Sequence, residues 1–256
     1  MRKSIVAGNW KMFKSAPEAL AFAREFGGML NENAGNIDVC LFPNFLSLPI
    51  LAHELASQKN VYLGAQNCHQ NAEGAYTGET SVEMIKSVGG THILVGHSER
   101  REYFNEGNDL LLAKTRAVLA GGLTAVYCCG EKLEDRKANR HFDLVANQIK
   151  EVVCQLEATQ LNQVVIAYEP VWAIGTGETA SPEQAQEMHS HIRDIVTAHF
   201  GNNAGSVSIL YGGSVKPANA LELFSQADID GGLVGGASLK PADFSAIVQA
   251  MVQSKS

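Results

Sequence analysis

Cysteine is scarce in this chain of 256 residues, and no long apolar run occurs in it. The cysteines include no Cys-x-x-Cys pair, and such an odd, sparse set argues against a disulfide framework. No stretch approaches the roughly 20 apolar residues of a membrane span, and the apolar residues after the start end at Gly8, far short of a signal peptide. We therefore expect a cytoplasmic protein that has no membrane partner. The five cysteines are Cys40, Cys68, Cys128, Cys129 and Cys154.

Positive charge is also in deficit. The 20 Lys and Arg residues are outnumbered by 27 Asp and Glu residues, which gives a formal net charge of −7. A chain of this charge has no overall positive field that would collect nucleic acid, so we expect no nucleic-acid partner. Any anionic ligand must be bound by a local arrangement of groups.

Short β-branched runs recur along the whole chain and alternate with helical patterns. Eight such units in about 250 residues are typical of a (β/α)₈ barrel, and no linker divides them. An open doubly wound sheet is the alternative, although it seldom has eight units so evenly spaced. We predict α/β class, with residues 1–256 as a single barrel domain. The predicted strands are Ser4–Ala7, Ile37–Phe42, Val61–Ala65, His92–Val95, Thr124–Cys128, Val164–Tyr168, Val207–Tyr211 and Gly231–Val234.

Three helices have clear start signals. Ser181 precedes Pro182 and Glu183, which is the order of an N-cap, a first-turn proline and an early acidic residue. The last two predicted helices also begin with a proline, at Lys216-Pro217 and at Lys240-Pro241.

The segment after the third predicted strand, residues 66–79, is long, polar and glycine-containing. A βα connection usually needs about 2–6 residues. Such a segment has a functional role, contacts another subunit or is mobile, and a flexible surface loop without a role is the alternative.

Reactive groups of a barrel belong at the carboxyl ends of its strands. Taken singly, a lysine or a histidine there is more often solvated or structural than catalytic. A barrel, however, would bring all the polar and glycine residues that follow its strands together at one open end, which we call the barrel mouth. They are Asn9 and Lys11 after strand one, His97, Ser98 and Glu99 after strand four, Glu169 after strand six, Gly212, Gly213 and Ser214 after strand seven, and Gly235 and Gly236 after strand eight.

The residue types at this mouth fit one another. Backbone N–H groups after strands seven and eight can bind a phosphate, which gives an acidic protein an anion site. Glu169 at a strand end can act as a general base. The apolar segment from Pro170 to Gly177, which ends in Gly-Thr-Gly, has the composition of a lid that excludes water, although a loop packed permanently on the rim is the alternative.

Three further patterns carry little weight. Gly175–Ala180 matches a dinucleotide fingerprint but does not form the required tight turn after a strand. His97-Ser98-Glu99 matches part of a zinc deaminase motif, but its Cys partners are missing. His189 and His191 stand two apart on a predicted helix and so face different directions. We expect neither a metal nor a cofactor.

Five segments together resemble the triosephosphate isomerase family, in register along essentially the whole chain. Cys129 and Gly232 depart from the family pattern without touching a catalytic position. The segments are Ala7–Lys11, Gly96–Arg101, Ala167–Gly177, Tyr211–Val215 and Gly235–Leu239.

The resemblance implies isomerisation of glyceraldehyde 3-phosphate and dihydroxyacetone phosphate, in glycolysis and gluconeogenesis, through an enediolate. It implies Glu169 as the base and a neutral His97 as the electrophile. Lys11 would supply positive charge and Asn9 a hydrogen-bond donor, while Ser98 and Glu99 would support them. Phosphate would be held by N–H groups of Gly175, Ser214, Gly235 and Gly236.

The resemblance also implies a homodimer in which the segment carrying Thr77 inserts beside the partner's active site.

Two other functions stay open. A Schiff-base aldolase on the same barrel would need a desolvated lysine nucleophile, for which Lys11 is the candidate. A binding module that keeps the phosphate cradle without catalysis is the non-enzymatic alternative, although the joint presence of Asn9, Lys11, His97 and Glu169 argues against it.

Overall fold

Eight parallel strands close into a barrel in the computed structural model, which describes residues 2–30, 36–174 and 179–255. Each strand pairs with the next along the chain, and β8 pairs with β1 through Ile5 and Gly231. The predicted (β/α)₈ barrel is thereby confirmed. The strands are β1 (Ser4–Asn9), β2 (Ile37–Phe42), β3 (Val61–Ala65), β4 (His92–Val95), β5 (Thr124–Glu131), β6 (Val164–Pro170), β7 (Ser208–Tyr211) and β8 (Gly231–Val234).

Helices follow the strands and cover the outside of the barrel. None of the described helices has the length and hydropathy of a membrane span. They are α1 (Ala16–Met29), α2 (Leu48–Glu54), α3 (Val82–Ser87), α4 (Ser98–Tyr103), α5 (Asn108–Ala120), α6 (Leu133–Lys137), α7 (His141–Val152), α8 (Pro182–Phe200), α9 (Pro217–Phe224) and α10 (Pro241–Ser254).

Alternation along the strands divides the apolar core into two layers. Ile5 and Ala7 belong to a cluster built from strand residues alone, which therefore fills the barrel interior. Val6, between them, belongs to the larger cluster that includes helix residues such as Phe22 and Val145. Because both faces of each strand are buried, the strands read as continuous apolar runs.

Four strand boundaries differ from the sequence prediction. β1, β5 and β6 run past their predicted ends to Asn9, Glu131 and Pro170, so the polar residues at these ends are held within the sheet. β7 begins one residue later than predicted. The N–H of Val207 donates to the carbonyl of Ala204 and so completes a turn before the strand begins.

All three predicted helix starts are confirmed. Pro182, Pro217 and Pro241 are the first residues of α8, α9 and α10. The hydroxyl of Ser181 accepts from the N–H of Gln184 at 3.2 Å, which satisfies one of the free donors at the start of α8.

The long connection between β3 and α3 is organised by its own contacts. The rings of His69 and Tyr76 lie 4.0 Å apart, and the N–H of His69 donates to the carbonyl of Thr80 at 2.8 Å. Asn71 also donates to the hydroxyl of Tyr76. Thr77, near the tip of this segment, is exposed.

Candidate active site

A cavity of about 390 Å³ opens at the carboxyl ends of the strands. It brings together residues from β1, β4, β6, β7 and β8, or from the turns that follow them, which is the convergence that the barrel predicts. Gly175 and the end of the predicted lid, residues 175–178, lie outside the described residues. The lining residues are Asn9, Lys11, Phe13, His97, Glu169, Ile174, Gly212, Gly213, Ser214, Val215, Lys216, Leu233, Gly235, Gly236 and Ala237.

The turn after β1 fixes Asn9 and Lys11. Asn9 ends the strand with its side chain buried, and its Oδ1 accepts from the N–H of Lys11 at 3.0 Å. Lys11 has a φ of 49°, a left-handed conformation that is uncommon for a residue with a side chain. Gln66 donates to the carbonyl of Lys11 at 2.8 Å and so helps to hold this strained turn.

The amine of Lys11 is anchored across the mouth. Its Nζ lies 2.6 Å from Oε1 of Glu99, and both side chains are partly exposed. The ion pair fixes the position of the lysine charge near the catalytic candidates. Glu99 is not among the residues that line the cavity, and its contact with Lys11 connects it to the site.

Glu169 and His97 contact each other directly. Oε1 of Glu169 lies 3.0 Å from Nε2 of His97, and the glutamate is only 2% exposed. Ser98 holds the other carboxylate oxygen, because its N–H donates to Oε2 at 2.9 Å. The hydroxyl of Ser98 is more distant, at 3.4 Å from Oε1.

The ring of His97 has a defined hydrogen-bond pattern. The N–H of Glu99 donates to Nδ1 at 3.3 Å, and only an unprotonated Nδ1 can accept it. This favours the neutral ring with its proton on Nε2, facing Glu169. Burial acts to lower the pKa of His97, but the carboxylates of the adjacent Glu169 and of Glu99 together raise that pKa above its ordinary value in this conformation.

Glycines at the ends of the two neighbouring strands, Gly130 within β5 and Gly212 directly after β7, leave room for Glu169. A Cβ at Gly130 of β5 would overlap the carbonyl oxygen of Glu169, and one at Gly212 would lie 3.0 Å from its Cγ. The N–H of Gly212 also donates to the carbonyl of Tyr168 at 2.7 Å. The end of β6 is therefore held between two backbones at close approach.

The ends of β7 and β8 present free backbone donors. Within residues 2–30, 36–174 and 179–255, the N–H groups of Ser214, Gly235 and Gly236 donate to no other protein group. Asn219 fixes the first turn, because it accepts from the N–H of Lys216 at 2.8 Å and donates to the carbonyl of Ser214 at 3.0 Å. Such exposed N–H groups in a cavity suit an anion.

The sequence prediction did not select two polar residues that lie at, or directly after, the end of a strand. Gln66 follows β3 and holds the Lys11 turn. Glu131 ends β5, where its Oε1 accepts from Tyr168 at 3.0 Å and from Trp172 at 2.9 Å. The same rule that selected Glu169, a polar residue at a strand end, would have selected both positions, although not the contacts through which they act. Glu131 thus ties the first part of the predicted lid to the barrel.

The weaker sequence patterns gain no support from the geometry. His189 is buried against the carbonyl of Asp228, whereas His191 contacts the carbonyl of Phe142, so the two rings do not converge. In the described part of the chain, no group of three or more His, Cys, Asp and Glu residues is placed to hold a metal ion.

Comparison with known proteins gives a match along nearly the whole chain. The family model described as triosephosphate isomerase matches residues 4–251. The triosephosphate isomerase of Porphyromonas gingivalis is 47% identical over 98% of this chain and 100% of its own length. The triosephosphate isomerase of Bacteroides fragilis is 48% identical over 98% of this chain and 99% of its own length. That of Flavobacterium johnsoniae is 49% identical over 98% of this chain and 100% of its own length.

Proposed function

Because this chain belongs to the triosephosphate isomerase family, whose members interconvert glyceraldehyde 3-phosphate and dihydroxyacetone phosphate, we propose that Glu169 and His97 perform this isomerisation as base and electrophile. The observation that carries these roles is the 3.0 Å contact between Oε1 of Glu169 and Nε2 of His97 inside the cavity. It places a carboxylate and a ring N–H where one small substrate can contact both.

The reaction moves one proton between neighbouring carbons. Glu169 removes a proton from C1 of dihydroxyacetone phosphate, the C–H electron pair forms the C1–C2 double bond, and charge develops on the carbonyl oxygen. The protonated Glu169 then returns the proton to C2, which yields glyceraldehyde 3-phosphate. For this, Glu169 leaves its hydrogen bonds to His97 and Ser98 and turns towards the substrate.

His97 acts on the two oxygens. Its Nε2 proton stabilises charge on the carbonyl oxygen and is transferred to it, and the ring recovers a proton from the neighbouring hydroxyl, so protons balance over the cycle. Once Glu169 turns away, its effect on the pKa of His97 weakens. Burial and the N–H donated by Glu99 then favour the neutral ring.

Lys11 and Asn9 complete the polar site. Lys11, positioned by Glu99, supplies positive charge for the enediolate oxygens and the phosphate. The Oδ1 of Asn9 is engaged by the N–H of Lys11, which orients the side chain and leaves its amide nitrogen to donate to substrate.

The phosphate is held by the N–H groups of Ser214, Gly235 and Gly236, joined by Gly175 when the lid closes. The apolar residues at the start of the lid, Val171 to Ile174, would exclude water from the enediolate and so suppress loss of phosphate. The lining of the cavity by Ile174 is in keeping with that role.

A homodimer is the proposed assembly. Large apolar side chains are exposed after four consecutive strands, and the loops that follow neighbouring strands are adjacent at the barrel mouth. Thr77, on the projecting segment between β3 and α3, would reach the partner's active site. The apolar side chains are Met12 and Phe13 after β1, Phe45 and Leu46 after β2, Tyr76 after β3, and Tyr103 and Phe104 after β4.

We further propose that residues 1–256 form one domain and that the enzyme works in the cytoplasm. The cysteines support a reducing compartment, since all five are buried and unpaired.

Turnover of glyceraldehyde 3-phosphate by EDTA-treated protein tests these roles. Glu169→Asp withdraws the carboxylate by one methylene and should lower kcat by about 100-fold with little change in KM. The control is Glu222→Asp, on the exposed side of α9. Equal kcat values in the two variants would remove Glu169 from the base role.

Two further experiments test the alternative functions, the binding module and the aldolase. A folded wild-type protein that binds phosphate esters without converting them would favour the binding module. Borohydride trapping of substrate on Lys11 would favour the aldolase, although the Nζ of Lys11 is already engaged by Glu99 at 2.6 Å and is not free to attack a carbonyl.

A further inference from the structure

The cavity contains a second lysine that the proposed reaction does not use. Lys216 lines the cavity directly after the Ser214 turn, and its side chain is exposed. The hydrogen bond from its N–H to Asn219, at 2.8 Å, belongs to the same turn that presents the N–H of Ser214. Lys216 therefore lies at the end of the cavity where the free backbone donors are.

The other ionisable groups that line the cavity are paired. Lys11 lies 2.6 Å from Glu99, and His97 lies 3.0 Å from Glu169. Across the described part of the chain, Lys216 makes no ion pair. Its positive charge is thus the uncompensated one at the cavity.

This matters because the chain as a whole has a net charge of −7, which repels a phosphate dianion at long range. Backbone N–H groups act over the length of a hydrogen bond, whereas a full charge acts over about 10 Å at 0.1 M salt. A cation at the phosphate end of the cavity raises the local concentration of an anionic substrate and the rate at which it enters.

From this arrangement we infer that Lys216 is a substrate-recruiting residue: it draws the phosphate group of the triose into the cavity and selects phosphorylated over neutral substrates, without taking part in proton transfer. The inference rests on the isomerase activity and phosphate cradle described above. Two interactions would then select for the phosphate group: long-range attraction by the charge of Lys216 and short-range hydrogen bonding by the backbone N–H groups.

The experiment measures kcat and KM of purified Lys216→Gln and Lys216→Glu from about 20 mM to 300 mM ionic strength. The charge-matched controls are Lys59→Gln and Lys59→Glu, because Lys59 is exposed just before β3, at the opposite end of the barrel. At 20 mM we expect kcat/KM to fall about 3-fold in Lys216→Gln and about 10-fold in Lys216→Glu, with kcat unchanged. At 300 mM the losses should shrink below about 2-fold, because salt screens an exposed charge.

A second readout separates recruitment from a structural effect. The inhibition constant of glycerol 3-phosphate should rise in the same proportion as kcat/KM falls, whereas that of uncharged glycerol should not change. Equal kcat/KM values for the Lys216 and Lys59 variants at low salt would overturn the inference. A loss that persists at 300 mM or appears in kcat would also overturn it, while a loss of activity in Glu169→Asp alone bears only on the catalytic roles.

Discussion

The carboxylate of Glu169 lies 3.0 Å from Nε2 of His97, so the proposed base and the proposed electrophile are hydrogen-bonded to each other in this conformation. Substrate must therefore exchange this contact for its own before the reaction can begin. The N–H of Ser98 holds the same carboxylate, which makes the starting position a defined one.

Replacing His97 should separate catalysis from binding. His97→Gln keeps a polar side chain of similar reach but cannot donate and recover a proton, so we expect kcat to fall by at least about 100-fold and KM to change less than about 3-fold. His53→Gln, on an exposed surface, is the control. A variant with altered KM and normal kcat would contradict the electrophile role.

The close approach of β5 and β6 predicts a strong effect of one methyl group. Gly130→Ala places its Cβ against the carbonyl of Glu169, so β6 must shift and carry the base with it. We expect a loss of about 3 kcal/mol in unfolding free energy and of at least about 100-fold in kcat.

The matched change is Gly28→Ala in α1, where, among the described residues, no atom beyond the neighbouring helix backbone lies within 4 Å of the new Cβ. It should stabilise the protein by about 1 kcal/mol or less and leave kcat unchanged. Urea unfolding and steady-state kinetics measure both quantities. Similar behaviour of the two variants would show that the site tolerates movement of β6.

The fully buried His189 predicts a loss of stability in acid. Burial lowers its pKa to about 3, whereas the unfolded chain titrates near the ordinary value of about 6.5. The unfolded state therefore binds an extra proton below pH 6.5, and stability falls by about 1.4 kcal/mol per pH unit as pH decreases from there towards 3. Between pH 7 and pH 5 this residue should account for about 2 kcal/mol.

His189→Asn removes this titration, so its unfolding free energy should depend less steeply on pH although it starts lower at pH 7. Measurements at one fixed protein concentration avoid effects of subunit association. Leu221→Asn, at an exposed position that does not titrate, is the control and should keep the wild-type slope. An unchanged slope in His189→Asn would mean that His189 is not protonated on unfolding.

The exposed apolar side chains predict a concentration-dependent dimer. Met12 is 95% exposed in the single chain, and burying a glutamate in its place would be costly. Met12→Glu should sediment as a monomer at micromolar concentration, with much reduced turnover. Leu221→Glu, an exposed apolar position on α9, should stay dimeric. A wild-type protein that sediments as a monomer would contradict the proposed assembly.

Short β-branched runs predicted the eight strands, because strands buried on both faces leave continuous apolar runs in the sequence. The strand ends were less predictable: Asn9, Glu131 and Glu169 are polar, yet each lies within its strand. Polar side chains at strand ends look like loop residues until their hydrogen-bond partners on neighbouring strands are known.

The sequence could predict which residues line the cavity, but not which residues hold them in place. Residues that follow strands converge in any barrel, so Lys11, His97 and Glu169 could be placed together without coordinates. The roles of Gln66 and Gly130 could not, since they act through contacts with Lys11 and Glu169 that no local pattern encodes. In the sequence, Lys216 is simply the residue before a predicted helix. Only its position in the cavity suggests the recruiting role that we propose for it.

The pairing of β1 with β8 has a consequence for refolding. Lys11 follows the first strand, Gly235 and Gly236 follow the last, and Glu169 lies on β6, so no half of the chain holds a working site. In a partly folded chain whose sheet is still open between β1 and β8, Lys11 is separated from the proposed phosphate-binding residues after β8. Recovery of turnover during refolding should therefore report the final closure of the sheet, later than spectroscopic signals of helix formation.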